Sequence, residues 1–249
     1  MALTMPIRSI CSAALRLDRR SPKLILAALL LAPLFLACTP AIRQEATEMI
    51  PHPTRLSETL QLPEPRLKGT LSLEEALAGR RSLREYADAP LTLEEIGQLL
   101  WAAQGITDPA GYRTAPSAGA LYPLEVYVVI PEGVYHYAPA GHRLQRCLQG
   151  DLRPALFAAA LRQEAVLEAP AVFVIAAEYE RTAAKYGRER TPRYVHLEAG
   201  HAAQNLLLQA EALGLGAVPI GAFIDEQVKE ALALPKSFQP LYLIPVGRP

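Results

Sequence analysis

Two stretches of this chain concentrate side chains that can do chemistry. GRRSLREY at 79–86 brings Arg80, Ser82 and Arg84 close together after a helical segment. Two guanidiniums and a hydroxyl offered to one anion match the bidentate geometry of a phosphate. Taken alone, a charge run of this kind serves equally well as a solvated face. The second stretch, HLEAGH at 196–201, has the look of a two-histidine zinc pattern. A helix chelates through two histidines only if they share a face, which needs spacings of three or four residues. His196 and His201 are five apart, so at ~100° per residue their imidazoles diverge by ~140°. Glu198 and His201 share a face, but two ligands do not complete a site that needs three or four. No metal is expected.

The elements that must position these groups follow from capping and periodicity. Ser72 with Glu75 reads as a capping box opening a short helix through Ala78. Thr92 with Glu95 repeats it before Ile96, Leu99, Leu100 and Ala103, and Gly105 closes that second helix. LEVYVVI (124–130), GVYHYAP and HRLQRCL read as strands of an antiparallel meander, the last two turning across Pro139 to Gly141. ALFAAALRQEAVL (155–167) reads as one helix, AVFVIAAEY (171–179) as a buried strand, and 193–213 as a long helix stopped by Gly214. AVPIGAF, a helix DEQVKEALAL and a last strand LYLIPVG complete the chain. Helices alternating with partly hairpin-linked strands predict an α+β fold with a mixed sheet. On the long helix, Val195, Ala199, Ala202, Leu206, Ala210 and Leu213 form an apolar stripe whose small members permit close packing. Two further segments, APSAGALYPLEVYVV (115–129) and LGLGAVPIGAF (213–223), put small residues beside a strand, where backbone can approach a flat ligand closely.

Lys plus Arg and Asp plus Glu both number 25 among 249 residues, so nothing in the balance points to nucleic acid as a partner. The N-terminus departs from the rest. Arg8, Arg16, Arg19, Arg20 and Lys23 precede the apolar run LILAALLLAPLFLA (24–37), an export signal pattern over 1–37. Its 14 residues, interrupted by Pro33, are short of the ~20 that span a membrane. Cys38 follows directly, and FLAC resembles a bacterial lipoprotein box, although Phe35 and Leu36 depart from its usual residues; an uncleaved anchor and simple secretion are the alternatives. Arg19 and Arg20 also suit twin-arginine export of a folded protein, without the usual Phe-Leu after the pair. With Cys38 lipidated, only Cys147 would remain as a free thiol beyond the signal, so no disulfide framework is expected. Pro40, Pro51, Pro53, Pro63 and Pro65 mark 38–68 as an extended tether, with the folded domain over 69–249.

Taken in order, RRSLREY, PSAGALYPLEVYVV, EAGHAAQNLLLQAEALGLGAVPIGAF and the terminal PVGRP resemble the FMN-dependent nitroreductase family. The resemblance covers roughly 69–249 and is closer to the SagB/ThcOx-type branch, which includes azoline dehydrogenases of peptide biosynthesis. It implies a nitroreductase-like α+β fold, a mixed and mainly antiparallel sheet flanked by helices, and a homodimer with FMN at the interface. By the same resemblance Arg80, Ser82 and Arg84 hold the phosphate. The backbone at Pro219, Ile220, Gly221 and Ala222 faces the isoalloxazine, with Gly221 or Ala222 offering an N–H to flavin N5. Ser117, Ala118 and Gly119 line the ring or ribityl chain. The Asn common in the second motif is replaced by small residues, and the chain ends without the extra basic residues of many relatives, leaving Arg248 to compensate. Lys185 and Tyr186 correspond to a Lys-Tyr pair implicated in catalysis in azoline dehydrogenases, where a base takes a proton as hydride leaves. Without the resemblance they read as a solvated loop. Three functions are compatible with these residues: an exported FMN oxidoreductase acting on a small-molecule or peptide-derived substrate, a cytoplasmic NAD(P)H nitroreductase, and a non-catalytic flavin-binding accessory lipoprotein.

Overall fold

The computed structural model describes residues 58–249; the expected export signal, Cys38 and the tether up to residue 57 lie outside the described residues. Seven strands form one sheet: β1 (Thr59–Gln61), β2 (Leu124–Ile130), β3 (Gly133–Ala138), β4 (Arg143–Gln149), β5 (Ala171–Glu178), β6 (Gly216–Ala217) and β7 (Phe238–Gly247). Their spatial order is β1-β4-β3-β2-β5-β7-β6. Each of these strand pairs is antiparallel. The parallel contribution among the described residues is an isolated bridge between Ser82 and Ala217.

β5 sits between β2 and β7, and its residues Ala171 to Ala177 are all buried. Such an unbroken apolar run fits a strand covered on both faces. One face, with Leu124, Val126, Phe173 and Ile175, is covered by α2 (Leu93–Gln104) and the long α6 (Thr191–Ala212). The other, with Tyr127, Val129, Val172 and Val174, is covered by α3 (Arg153–Ala159), α4 (Glu164–Glu168) and α7 (Asp225–Ala231). Each large apolar side chain buried this way contributes about 1.5–3 kcal/mol. Both capping boxes form: Ser72 starts α1 (Leu73–Gly79) and Thr92 starts α2, each with its Glu reaching back.

Three elements differ from the sequence expectation. The folded unit begins before Gly69, because β1 pairs with β4 (Leu60 opposite Leu144), Leu62 is buried, and the Arg66 backbone exchanges hydrogen bonds of 2.8 and 3.0 Å with the Gln98 side chain. Pro63 and Pro65 exclude a helix there but not a short edge strand. The expected helix 155–167 is two helices, since Leu161 and Arg162 take left-handed φ of 56° and 59°. The break frees the Ala159 carbonyl for the Ile224 amide (2.9 Å) and lets Gln163 bond the Ala160 and Ala222 carbonyls at 2.9 and 2.8 Å. Finally, the segment expected as a loop before α6 is helical: α5 (Tyr179–Tyr186) follows β5 directly and stops at Gly187, φ +77°.

Candidate functional site

The RRSLREY segment runs extended beside β6. Ser82 bridges Ala217, the Leu83 amide donates to the Ala217 carbonyl at 3.1 Å, and Gly216 makes this approach possible because any Cβ there would overlap Leu83. Tyr86 fixes the far end: its hydroxyl donates to the Leu83 carbonyl at 2.8 Å and its ring lies against Gly247. Alternate residues of an extended segment share a side, which suits Ser82 and Arg84 acting together, with Arg80 beside them as the residue that ends α1. Arg81 is committed elsewhere, donating to the α1 carbonyl of Ala78 at 2.9 Å and to that of Arg80 at 2.8 Å. Arg80 and Arg84 make no ion pair among the described residues, and Ser82 is exposed. Two uncommitted guanidiniums and a hydroxyl on one segment suit a phosphate. Arg248, expected to assist them, is committed to Glu95: its Nη2 donates to both carboxylate oxygens, at 2.8 and 3.0 Å, at the start of α2.

Beyond β6 the backbone of Ile220 exchanges hydrogen bonds with Leu243 at 2.8 and 3.0 Å, which anchors Pro219 to Ala222 along β7. Gly221 and Ala222 then turn outward and are exposed. A Cβ built at Gly221 meets nothing within 4 Å, and neither amide donates a hydrogen bond among the described residues. This is the open, donor-bearing backbone that a flat heteroaromatic ring requires.

At the start of β2 the structure joins two groups that are distant in sequence. The Ser117 hydroxyl accepts the Tyr122 amide at 2.9 Å, closing a turn in which Gly119 has φ 65°. A Cβ at Gly119 would lie 2.8 Å from Lys185 Nζ and 2.9 Å from Tyr186 Oη. Both head groups therefore converge on the glycine of the Ser117–Gly119 loop. The Tyr186 ring also rests on Tyr194 of α6, centroids 4.7 Å apart. Arg181 anchors α5 to this corner, donating to the Tyr122 carbonyl at 2.6 Å, Glu125 at 2.7 Å and Glu178 at 2.8 Å.

The Ser82 and Ser117 groups do not meet within one chain. Ala217 pairs with Val246 near the end of β7, whereas Leu124 is level with Ala177 and hence with Gln239 near its start. Seven residues of strand separate those levels, roughly 23 Å. A cavity of about 430 Å³ between the 66–73 segment, α2 and α6 includes none of the expected site residues.

One group at the site escaped sequence reasoning. Glu198, considered there only as a metal ligand, is 3% exposed on α6, among Val195, Ala199 and Ala202. Burial pushes its carboxyl up to about 7, against the pull of the Ser117 hydroxyl and the charges of Arg113 and Arg181. An ionisable residue on the apolar stripe of a helix was the available signal. Of the two histidines, His196 Nε2 lies 2.7 Å from the Tyr179 hydroxyl and His201 is exposed. No group of three His, Cys, Asp or Glu side chains among the described residues is placed to hold a metal.

An antiparallel seven-stranded sheet with helices on both faces, an arginine-serine segment at one edge and an open turn of small residues define a nitroreductase-like fold. The nitroreductase family pattern matches residues 77–248, and the chain belongs to that family of oxidoreductases, whose members typically bind flavin. It is 46% identical over 199 residues to MJ1384 of Methanocaldococcus jannaschii, which carries a nitroreductase name; the match covers 78% of this chain and 98% of that protein. It is 30% identical over 122 residues to the trifolitoxin-processing protein TfxB of Rhizobium leguminosarum bv. trifolii, covering 41% of this chain but 30% of TfxB. A solved structure described as a nitroreductase from Ralstonia eutropha superposes with a TM-score of 0.71 at 32% identity, covering 79% of this chain and 94% of that one.

Proposed function

We propose that this chain is an exported FMN-dependent oxidoreductase of SagB type, a dehydrogenase acting on a small-molecule or peptide-derived substrate. Bound FMN supplies a hydride acceptor at N5. Arg80 and Arg84, free of carboxylate partners among the described residues, would bind its phosphate together with the Ser82 hydroxyl. The unbonded amides of Gly221 and Ala222 orient the ring, and Ser117, Ala118 and Gly119 cover it. Lys185 Nζ or Tyr186 Oη takes the proton that the substrate loses as hydride departs. The observation that carries this reading is the convergence of those two atoms, 2.8 and 2.9 Å from the Cβ position of Gly119. The partial likeness to TfxB, by name a trifolitoxin-processing protein, favours a dehydrogenase that processes a larger precursor over a general nitroreductase.

The same reading calls for a homodimer. With the Ser82 and Ser117 groups at opposite ends of β7, a flavin seated on one chain's arginines is completed by the Ser117 loop of a second copy. Lipidation at Cys38 would hold that dimer at the outer face of a membrane.

The test is purification of the full-length chain in detergent. A yellow dimer with a flavin spectrum, reduced by NADH, NADPH or a quinol, is the expected result; a colourless protein that takes up no added FMN refutes the cofactor. Flavin that no donor reduces and no acceptor reoxidises would make the chain an accessory binder. Cys38→Ser should move it from the membrane to the soluble fraction; unchanged fractionation refutes the anchor. An NAD(P)H nitroreductase is the second reading, favoured by the match over 98% of MJ1384, and nitroaromatic turnover with NADPH would establish it.

A further inference from the structure

The buried face of α6 is aliphatic or small except at Thr191 and Glu198. Thr191 is satisfied, donating to the Gly187 carbonyl at 2.9 Å. Glu198 is not: its Oε1 has no hydrogen-bond partner among the described residues. Two neighbouring side chains are equally underused. Gln104, 1% exposed at the end of α2, accepts Arg113 Nη1 at 2.8 Å through its oxygen, while Gln104 Nε2 and Arg113 Nε are buried without partners. Buried polar atoms are nearly always paired, so three unmet ones in one cluster mark a place where something besides packing is being served.

What lies over this cluster is the Ser117 loop. Ser117 Oγ accepts the Tyr122 amide, which leaves its own proton to donate to Glu198. Arg113 stacks over the Tyr122 ring at 4.5 Å, and its amide donates to the Tyr122 hydroxyl at 3.2 Å. The turn these contacts close holds Gly119, Ala120 and Tyr122 at left-handed φ of 65°, 54° and 49°. Non-glycine residues adopt that conformation only where the surroundings impose it. Gly119 in turn touches the head groups of Lys185 and Tyr186.

We propose that Glu198 is a positioning residue: gain or loss of its proton resets the Ser117–Tyr122 turn and so the placement of Lys185 and Tyr186. Ionised, Glu198 is an anionic acceptor for the Ser117 hydroxyl, and a charge-assisted bond of that kind is roughly twice as strong as a neutral one. Protonated, it releases part of that hold. The groups acting on it are Ser117 and Arg113 from the loop and Arg181 from α5, whose own charge is shared with Glu125 and Glu178; Gln104 of α2 and Tyr122 of the loop bear on Arg113. Glu198 is the carboxyl of the cluster that burial desolvates, which makes it the proton-responsive member. The proposal rests on Lys185 and Tyr186 being the reactive pair, and it adds that their geometry depends on pH through a residue that never touches substrate.

The experiment uses the full-length chain in detergent without flavin, labelled for NMR, titrated from about pH 5.5 to about 8.5. The Gly119 amide and the Tyr186 ring should shift together with one midpoint near neutrality. In Glu198→Gln both should stay flat. A folded Glu198→Gln chain that titrates like the wild type, or a wild-type loop with no titration, overturns the proposal. Should the Gln variant fail to fold, Ser117→Ala decides: the Glu198 carboxyl carbon still titrates while Gly119 and Tyr186 no longer follow it. Gly119 still following in Ser117→Ala also overturns it. FMN affinity, read by fluorescence quenching, should tighten by about threefold or more across the same range in the wild type and not in Glu198→Gln. Because the resonances need no flavin, a chain that binds no FMN counts against the proposed function and leaves this test readable.

Discussion

Gly216→Ala is the sharpest probe of how the arginine segment is held. A methyl at 216 would overlap Leu83 Cδ2 and lie 2.7 Å from Leu83 Cβ and 2.9 Å from Cγ, where carbon atoms normally rest about 3.5–4.0 Å apart. Leu83 Cβ cannot rotate away, so the backbone must part, and the 3.1 Å bond from the Leu83 amide to the Ala217 carbonyl goes with it. Overpacking costs about 1–3 kcal/mol and the hydrogen bond about 1 kcal/mol, together about 2–4 kcal/mol. Because Ser82 bridges the neighbouring Ala217, the same displacement carries Arg80, Ser82 and Arg84 off their register. A tenfold loss of FMN affinity corresponds to about 1.4 kcal/mol and is the least expected. Urea unfolding reads the first quantity and flavin-fluorescence titration the second. Leu83→Ala removes the Cδ2 and Cγ overlaps and leaves the Cβ one, so in the double variant the two substitutions should cost at least about 1 kcal/mol less than their sum. A Gly216→Ala protein as stable as the wild type, or two costs that simply add, would refute the contact and the placement of the anion site built on it.

Other expectations are shorter to state. The Glu198 carboxyl sits at about 7 in the fold against 4.5 ordinarily, so its stabilising contribution is complete below about pH 4.5 and is lost as pH rises through 7. That loss is worth about 3 kcal/mol at most, and Glu198→Gln should remove this slope from denaturant-measured stability between those limits. Gly119→Ala places a methyl against Lys185 Nζ and Tyr186 Oη at a φ of 65°; it should cost about 1 kcal/mol of stability and at least about tenfold in turnover, and normal turnover would remove the Lys-Tyr pair from the site. Tyr186→Phe keeps the stack on Tyr194 but loses the hydroxyl, so it should lower turnover about a hundredfold with FMN affinity unchanged. Equal loss of both in that variant would assign Tyr186 to flavin binding.

Much of the fold could be read from the sequence because the signals were local. The capping residues Ser72 and Thr92 act within four residues of themselves, and β2 and β5 are set by side chains buried on both faces. What escaped depends on distant partners. β1 is three exposed residues whose pairing lies on β4, some eighty positions away. α5 is short and polar on balance, eight residues with Tyr179, Ala183 and Tyr186 among its apolar positions, and is held by Arg181 reaching Tyr122, Glu125 and Glu178. The split between α3 and α4 goes with the Ile224 amide donating to the Ala159 carbonyl and the Ala222 carbonyl accepting the Gln163 side chain across the fold. At the site, residue types singled out Arg80, Ser82 and Arg84 as candidates, but the commitment of Arg81 to α1 and of Arg248 to Glu95 is three-dimensional information. Glu198 was visible as a letter and not as a buried charge, since only the packing of α6 under the Ser117 loop desolvates it.

The anchoring of α5 by one guanidinium separates two rates of evolutionary change. Arg181 fastens the helix to Glu125 on β2 and Glu178 at the end of β5, and everything from Ala183 to Arg190 projects beyond that clamp, mostly exposed. Substitutions in that projection alter what faces Lys185 and Tyr186 without disturbing β5, β6 or the arginine segment. A lineage can thus change what surrounds Lys185 and Tyr186 by editing a few residues while the sheet and the arginine segment stay as they are, and relatives of this chain should diverge first at residues 183–184 and 187–190.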